Sequence, residues 1–358
     1  MLWGRLSLVV LVAACGYQRP ADVPNVPNDI GSDTSSDAVA VSDGALDDAP
    51  SAMRCSMLAS TCGRDGTSPC CESLLVPGGT YARSYDVATD GLHSDNSYTA
   101  TVSSFRLDKY EVTVGRFREF VEAGQGTQAS PPAANAGART LNGTANQGGW
   151  DTAWNGNLTV NTAALMAALN CGTTFKTWTD LPGDNESRPI TCVNWFEAMA
   201  FCIWDGGFLP TEAEWNYAAS GGDEQRAYPW SVPPESLSIA PMKASYYADT
   251  TAQCVGDFTA GCAVTDYVQV GLREGDGRWG HADLGGNVME WNLDYSWSPY
   301  PQNPCIDCVN LTPVGAGSRV RRGGAYTTGA NSLRAAARDE LPPSAHIGTS
   351  GIRCARAP

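Results

Sequence analysis

The sequence predicts a loop-rich fold of short strands and short helices, not a helical bundle. Three observations carry this. Glycine and proline are abundant, 38 and 22 of 358 residues, while charged residues make up 17%, a mix that favours turns over long amphipathic helices. Hydrophobic residues make up 42%, enough for a sizeable core in one large domain or two smaller ones. The apolar residues fall in short periodic runs between turn signals, with no internal repeat of solenoid period.

The chain opens on an export signal at residues 1–14. Arg5 supplies the positive start and "LSLVVLVAA" a short apolar run ending in small residues, too short to span a bilayer. Val12-Ala13-Ala14-Cys15 resembles a bacterial lipobox, which would make Cys15 the lipidated first residue of the mature protein. The competing reading is an ordinary signal peptide with a chance cysteine. Gly16, and not Asp, follows, which favours the outer membrane over the inner. Residues 15–54 form the anchor and an acidic linker, "PADVPNVPNDIGSDTSSDAVAVSDGALDDAP", too poor in apolar surface to offset chain entropy. Residues 55–74 hold Cys55, Cys62, Cys70 and Cys71, read as a disulfide-stapled segment with three pairings open.

From residue 75 to 358 the chain reads as one domain. "LLVPGGTYARSY" is strand, turn, strand; "SSFRLDKYEV" is a further strand. "TVGRFREFVEAG" is a short helix with Thr113 as N-cap, Phe117, Phe120 and Val121 on one face, and Gly124 ending it. Residues 125–190 are expected to be mostly ordered loop. "NWFEAMAFCIWDGG" and "LPTEAEWNYAAS" each carry a capping box, Asn194 with Glu197 and Thr211 with Glu214. Glu212 reads as a favourable first-turn charge, and Trp215 and Tyr217 as core.

Charge and cysteine content exclude some functions. A formal charge of −15 argues against nucleic acid and is compatible with a hard cation. Thirteen cysteines leave an even twelve once Cys15 is set aside, so an exported chain reads as disulfide-bonded. Three scattered histidines, His93, His281 and His346, argue against a Cys/His zinc site. Proximity in sequence suggests the pairs Cys171–Cys192, Cys254–Cys262 and Cys305–Cys308, the last as a loop clip instead of a redox CxxC. Asn-x-Ser/Thr matches at Asn142, Asn157, Asn185 and Asn310 are read as chance.

Four blocks, "VPGGTY", "RPITCVNWFEAMAFCIWDGGFLPTEAEWNYAASGG", "GHADLGGNVMEWNLDYSW" and "RVRRGGAYTTGANSLRAAAR…GTSGIRCAR", resemble the formylglycine-generating enzyme family, or sulfatase-modifying factors. The resemblance covers Leu75 to Cys354. It implies an α+β, loop-rich variant of the C-type-lectin fold with little regular secondary structure. It also implies copper(I)-dependent oxidation of a sulfatase cysteine by two thiols after a Gly-Gly-Ser-Tyr turn. Here that turn is Gly323-Gly324-Ala325-Tyr326. Ala325 replaces the serine, Thr328 stands where the first thiol belongs, and the second has no counterpart. Hydroxyls do not replace soft thiolates on copper(I), so copper is not expected. The resemblance further implies a Cys202–Cys354 bridge, and Ala219 and Ala335 at both ends of a family bridge missing here.

The remaining candidate sites each carry two readings. "DLGGNVMEW" suits calcium through Asp283, Glu290 and the carbonyls of Gly286 and Val288, a set the resemblance implies; the alternative is a Gly-Gly turn with Glu290 bound to an arginine. A second family calcium site would fall near Asp249, in divergent surroundings. Tyr326, Thr328 and Arg334 form a candidate ligand cleft. Arg322, Arg334 and Arg338 either clamp an anion or pair with buried carboxylates such as Glu290. The expectation is an envelope lipoprotein whose domain is a calcium-stiffened binding or structural module for a protein or glycan. The alternative is an active oxidoreductase of the family that modifies exported proteins.

Overall fold

The computed structural model describes residues 61–172, 175–315 and 317–358. The expected signal, Cys15, the linker and Cys55 lie outside the described residues. Within them, the two strands of "LLVPGGTYARSY" form at Ser73–Val76 and Gly79–Ala82 but do not pair with each other. The first runs antiparallel to Phe105–Asp108, with Val76 opposite Phe105, and the second pairs with Thr99–Val102. The turn between them therefore carries the chain from one sheet to another. A Cβ on Gly78 would lie 2.6 Å from the Val102 carbonyl oxygen, so no side chain fits there.

Ala355–Arg356 closes the first sheet on the far side of Phe105–Asp108, and Cys305–Ile306 joins Thr99–Val102 in parallel. A four-stranded sheet is built around Met289–Tyr295. Arg319–Arg322 lies antiparallel on one side, followed by Asp339–Leu341, and Ser350–Gly351 lies parallel on the other. The C-terminal segment thus touches two sheets, one of them against the first strands of the domain.

The helices are short and capped where the sequence indicates. In α1 (Val114–Glu122) the Thr113 hydroxyl accepts from Arg116 N at 3.2 Å, and Phe117, Phe120 and Val121 are buried. The chain leaves at Gly124 with φ 69°. α2 (Thr162–Ala168) and a hairpin, Arg139–Leu141 with Thr144–Gln147, lie in the stretch read as loop. α2 buries only Leu165, too little for an apolar period to show. α3 (Trp195–Trp204) and α4 (Glu212–Ala219) both close the expected capping boxes. All eight residues of α4 are buried, so it is a core helix and not an amphipathic one. α1 and α3 pack around Phe117, Phe201, Trp195 and Trp291, while Trp215 and Tyr217 of α4 pack with Val102 and Leu107.

Cys202–Cys354 and the three pairs suggested by proximity are present, Cys62 bonds Cys70, and Cys71 is also disulfide-bonded. Cys202–Cys354 spans 152 residues; on chain entropy such a closure stabilises by about 5 kcal/mol.

Glu197 caps α3 and also accepts from His346 Nε2 at 3.0 Å. Burial opposes charge on His346, but the hydrogen bond and ion pair with Glu197 outweigh it and raise the imidazole above its usual value. A raised folded pKa makes this contribution complete below about pH 6.5 and lost as pH rises through the folded value. Denaturant titrations should therefore show His346→Gln losing about 1–2 kcal/mol at low pH and little at high pH. Equal losses at both ends would remove the charged pair from the account.

Candidate functional site

The Gly323–Arg338 loop begins where Arg319–Arg322 ends. Gly323 and Gly324 take φ 98° and 69°. A Cβ on Gly324 would stand 2.9 Å from the Ser332 carbonyl oxygen, so the return of the loop depends on the missing side chain. Ala325 is buried. The Thr328 hydroxyl accepts from Ala325 N at 2.8 Å and lies 2.9 Å from Ala325 O, to which it donates. The residue in the thiol position thus closes its own turn.

The expected cleft at Tyr326, Thr328 and Arg334 is not assembled. Tyr326 is buried, its ring centroid 4.3 Å from that of Tyr267, and burial pushes its phenol up to about 12. Arg334 is buried on Asp86, at 2.6 Å, and on Asp90, at 2.8 Å. Arg322 and Arg338 both bind Glu212, at 2.7 and 2.5 Å. The three arginines thus take the structural role, with partners other than Glu290. Glu212 is a buried hub and not merely a first-turn charge. The cavity at this loop, about 270 Å³, is lined instead by Arg321, Arg322, Gly324, Asn331, Ser332 and Arg338, among others.

All eleven cysteines among the described residues are disulfide-bonded. Ala219 and Ala335 are buried in the same apolar cluster. Among the described residues, one trio of His, Cys, Asp or Glu brings its ligating atoms within 4.8 Å: Asp108, Asp205 and Cys354. Cys354 is bonded to Cys202, and both acids bind Arg116 and Arg356.

The "DLGGNVMEW" block turns as expected. Asp283, Gly286 and Asn287 have φ 56°, 94° and 59°, and a Cβ on Gly286 would meet the Ser245 carbonyl oxygen at 2.4 Å. Glu290 is the correction. Arg353 donates to both its oxygens from Nε at 2.9 Å and again from Nη2 at 2.7 Å, and Trp215 Nε1 donates at 2.5 Å. That is the arginine reading of Glu290. Asp283 accepts from Gly271 N at 2.5 Å, and burial raises its carboxyl to about 6. Glu111, which the sequence placed merely at the end of a strand, accepts from Asn287 Nδ2 at 2.6 Å and Val288 N at 3.2 Å. Burial, then Asp283 and Glu290, push its carboxyl well up. Three buried carboxylates thus lie in one another's field, and among them Glu290 is the one paired with Arg353. Glu290, with both oxygens on Arg353, is oriented as an ion-pair partner and not as a metal ligand.

The family described as the sulfatase-modifying factor enzyme 1-like domain matches residues 59–358. The formylglycine-generating enzyme of Thermomonospora curvata is 26% identical over 312 residues, covering 80% of this chain and 93% of that enzyme. That of Streptomyces coelicolor is 30% identical over 303 residues, covering 79% and 88%. Hercynine oxygenase of Mycolicibacterium smegmatis is 27% identical over 308 residues, covering 82% of this chain and 62% of that protein. Among solved structures, PvdO from Pseudomonas aeruginosa has a TM-score of 0.50 at 16% identity, covering 80% of this chain and 94% of that one. The α+β, loop-rich class expected is the class found.

Arg334→Met should strand Asp86 in the core and destabilise the fold by about 3–5 kcal/mol, read by denaturant unfolding. Unchanged stability would return Arg334 to the candidate ligand cleft.

Proposed function

Since the chain belongs to the sulfatase-modifying factor family, we propose that it keeps the family scaffold without the family's copper chemistry. On this reading it is an envelope lipoprotein held by acylated Cys15, outer membrane favoured, whose domain is a binding or structural module. One observation carries the proposal. Every described cysteine is cross-linked, and Thr328, at the thiol position, is committed to Ala325. Copper(I) needs soft donors, and a hydroxyl that closes a backbone turn is neither soft nor free.

The second reading, an active oxidoreductase with an altered site, is favoured by 26–30% identity to two formylglycine-generating enzymes over four-fifths of the chain. Two measurements separate them. Thiol titration of the unreduced mature protein should find no reactive sulfhydryl, and a Cys-x-Pro-x-Arg peptide incubated with protein, copper and oxygen should keep its mass. A mass loss at the peptide cysteine would establish the second reading.

We also propose calcium at Asp283 and the carbonyls of Gly286 and Val288, with Glu111 contributing charge. Calcium at a hundredfold excess over its Kd should raise stability by about 2.7 kcal/mol relative to chelator. Identical melting curves in calcium and in chelator would exclude it.

A further inference from the structure

Among the described residues five arginines are fully buried: Arg116, Arg319, Arg322, Arg334 and Arg353. Four of them bind carboxylates within 3 Å. Arg319 forms no ion pair among the described residues. Its Nη1 donates to the Leu293 carbonyl oxygen at 2.5 Å, and its Nε has no partner. Tyr295, Trp195 and Trp154 surround the guanidinium, with ring centroids at 3.4, 3.8 and 5.6 Å. Burial lowers its pKa to about 10. The field of Tyr295, then that of Asp294, and a hydrogen bond with the Tyr295 side chain oppose this in part, but the Asp294 oxygens already accept from the backbone N–H groups of Glu212 and Asn310 at 2.7 and 2.8 Å. Contacts with aromatic faces attract the cation only modestly and do not match the cost of burying an ion without an anionic partner.

Arg319 is 1% exposed and lines a cavity of about 430 Å³. The other walls come from the loop at Ala134 and Asn135, the end of the Arg139–Gln147 hairpin, the segment that follows it and the 3-10 turn at Thr152–Asn157. They include Asn135, Asn146, Gln147, Asp151 and Trp154. The volume is that of a small-ligand site. Each wall has a distinct chemistry. Half-buried Trp154 offers an aromatic ring. The three amides both donate and accept, as hydroxyl groups require. Asp151 is exposed and caps Ala153 N at 2.9 Å; its charge at the mouth disfavours polyanions. A buried lone cation, an aromatic plate, amides and a rim carboxylate together suit a ligand rich in hydroxyls that carries one negative charge.

We propose that this cavity binds a saccharide bearing a carboxylate, a uronic-acid residue, with the carboxylate on Arg319 and one sugar face on Trp154. The inference deepens the binding-module reading and rests on it for the view that the domain's task is capture. The two fail separately, because the peptide assay concerns the Gly323 loop and shares no residue with this cavity.

The test is isothermal titration calorimetry of the full chain in detergent with galacturonate, with an oligomer of neutral sugars that carries a single galacturonate residue, and with glucose. At least one uronate should bind saturably, and glucose about tenfold or more weaker. Tighter binding of the oligomer identifies a polymer as the source; equal binding identifies the free sugar acid. Arg319→Met should abolish uronate binding. Because that buried change can impair folding, Asn146→Asp, on the exposed hairpin, is the second variant. It adds a negative charge at the mouth and should weaken uronate about tenfold with unfolding temperature unchanged. No saturable uronate heat, glucose binding as tight as uronate, or undiminished uronate binding by a folded Asn146→Asp protein would each overturn the proposal.

Discussion

The guanidinium of Arg353 ties together segments that would otherwise share no regular structure. It grips both oxygens of Glu290 in the central strand of the four-stranded sheet. Its remaining donors reach the carbonyls of Asp108 and Lys109, at 3.0 and 2.8 Å, and of Ala282, at 2.8 Å. Those carbonyls belong to the end of the Phe105–Asp108 strand and to the approach to the Gly-Gly turn. In a loop-rich chain many backbone oxygens have no ladder partner, and a buried one left alone costs about 1–3 kcal/mol. One planar five-donor side chain meets three of them at fixed angles. A lysine has the charge but not the fork. The next residue, Cys354, is bonded to α3, so the covalent and ionic ties arrive together.

Such a pair is not a cheap route to stability. A well-packed apolar replacement is often as stable, whereas removal of one partner alone is severe. What the ionic interior supplies here is position. Arg116 and Arg356 with Asp108 and Asp205, Arg322 and Arg338 with Glu212, and Arg334 with Asp86 each join segments far apart in sequence. The Gly323–Arg338 loop shows the consequence. Its entry is set by Arg322, its exit by Arg334 and Arg338, and its first turn by Thr328. The path of the loop is thus held by these four side chains, none of them a thiol.

Local grammar was legible from the residues. The capping boxes of α3 and α4, the Thr113 cap and the Gly124 stop each lie within a few positions of one another, so spacing alone revealed them. Three disulfides at close spacing were legible for the same reason. Pairing at a distance was not. The strands flanking Pro77-Gly78-Gly79 looked like partners, yet they enter different sheets, because nothing local says where Phe105–Asp108 and Thr99–Val102 will lie. Glu111 read as part of a strand, although its role comes from Asn287, 176 positions away. Glu212 looked like a helix-start charge, which it is, but its two arginines come from beyond residue 320. The Arg139–Gln147 hairpin and α2 were missed because they bury little.

The arginines separate structural charge from charge available to a ligand. A buried cation is stable in a folded chain only when an anion or several oriented dipoles compensate it. Four of the five fully buried guanidiniums meet that condition inside the protein, and their geometry is explained once the partners are named. Arg319 meets it with one carbonyl, a hydrogen bond to the Tyr295 side chain, the field of Asp294 and the faces of three rings, in a strand whose other arginines, Arg321 and Arg322, both have acids. Its position follows from the strand, since Tyr295 opposes it in the register. An apolar side chain there would pack against the same three rings without any desolvation cost. The presence of a charge in that aromatic cage is therefore not explained by folding, and it is at that residue that the molecule's interior opens onto a cavity.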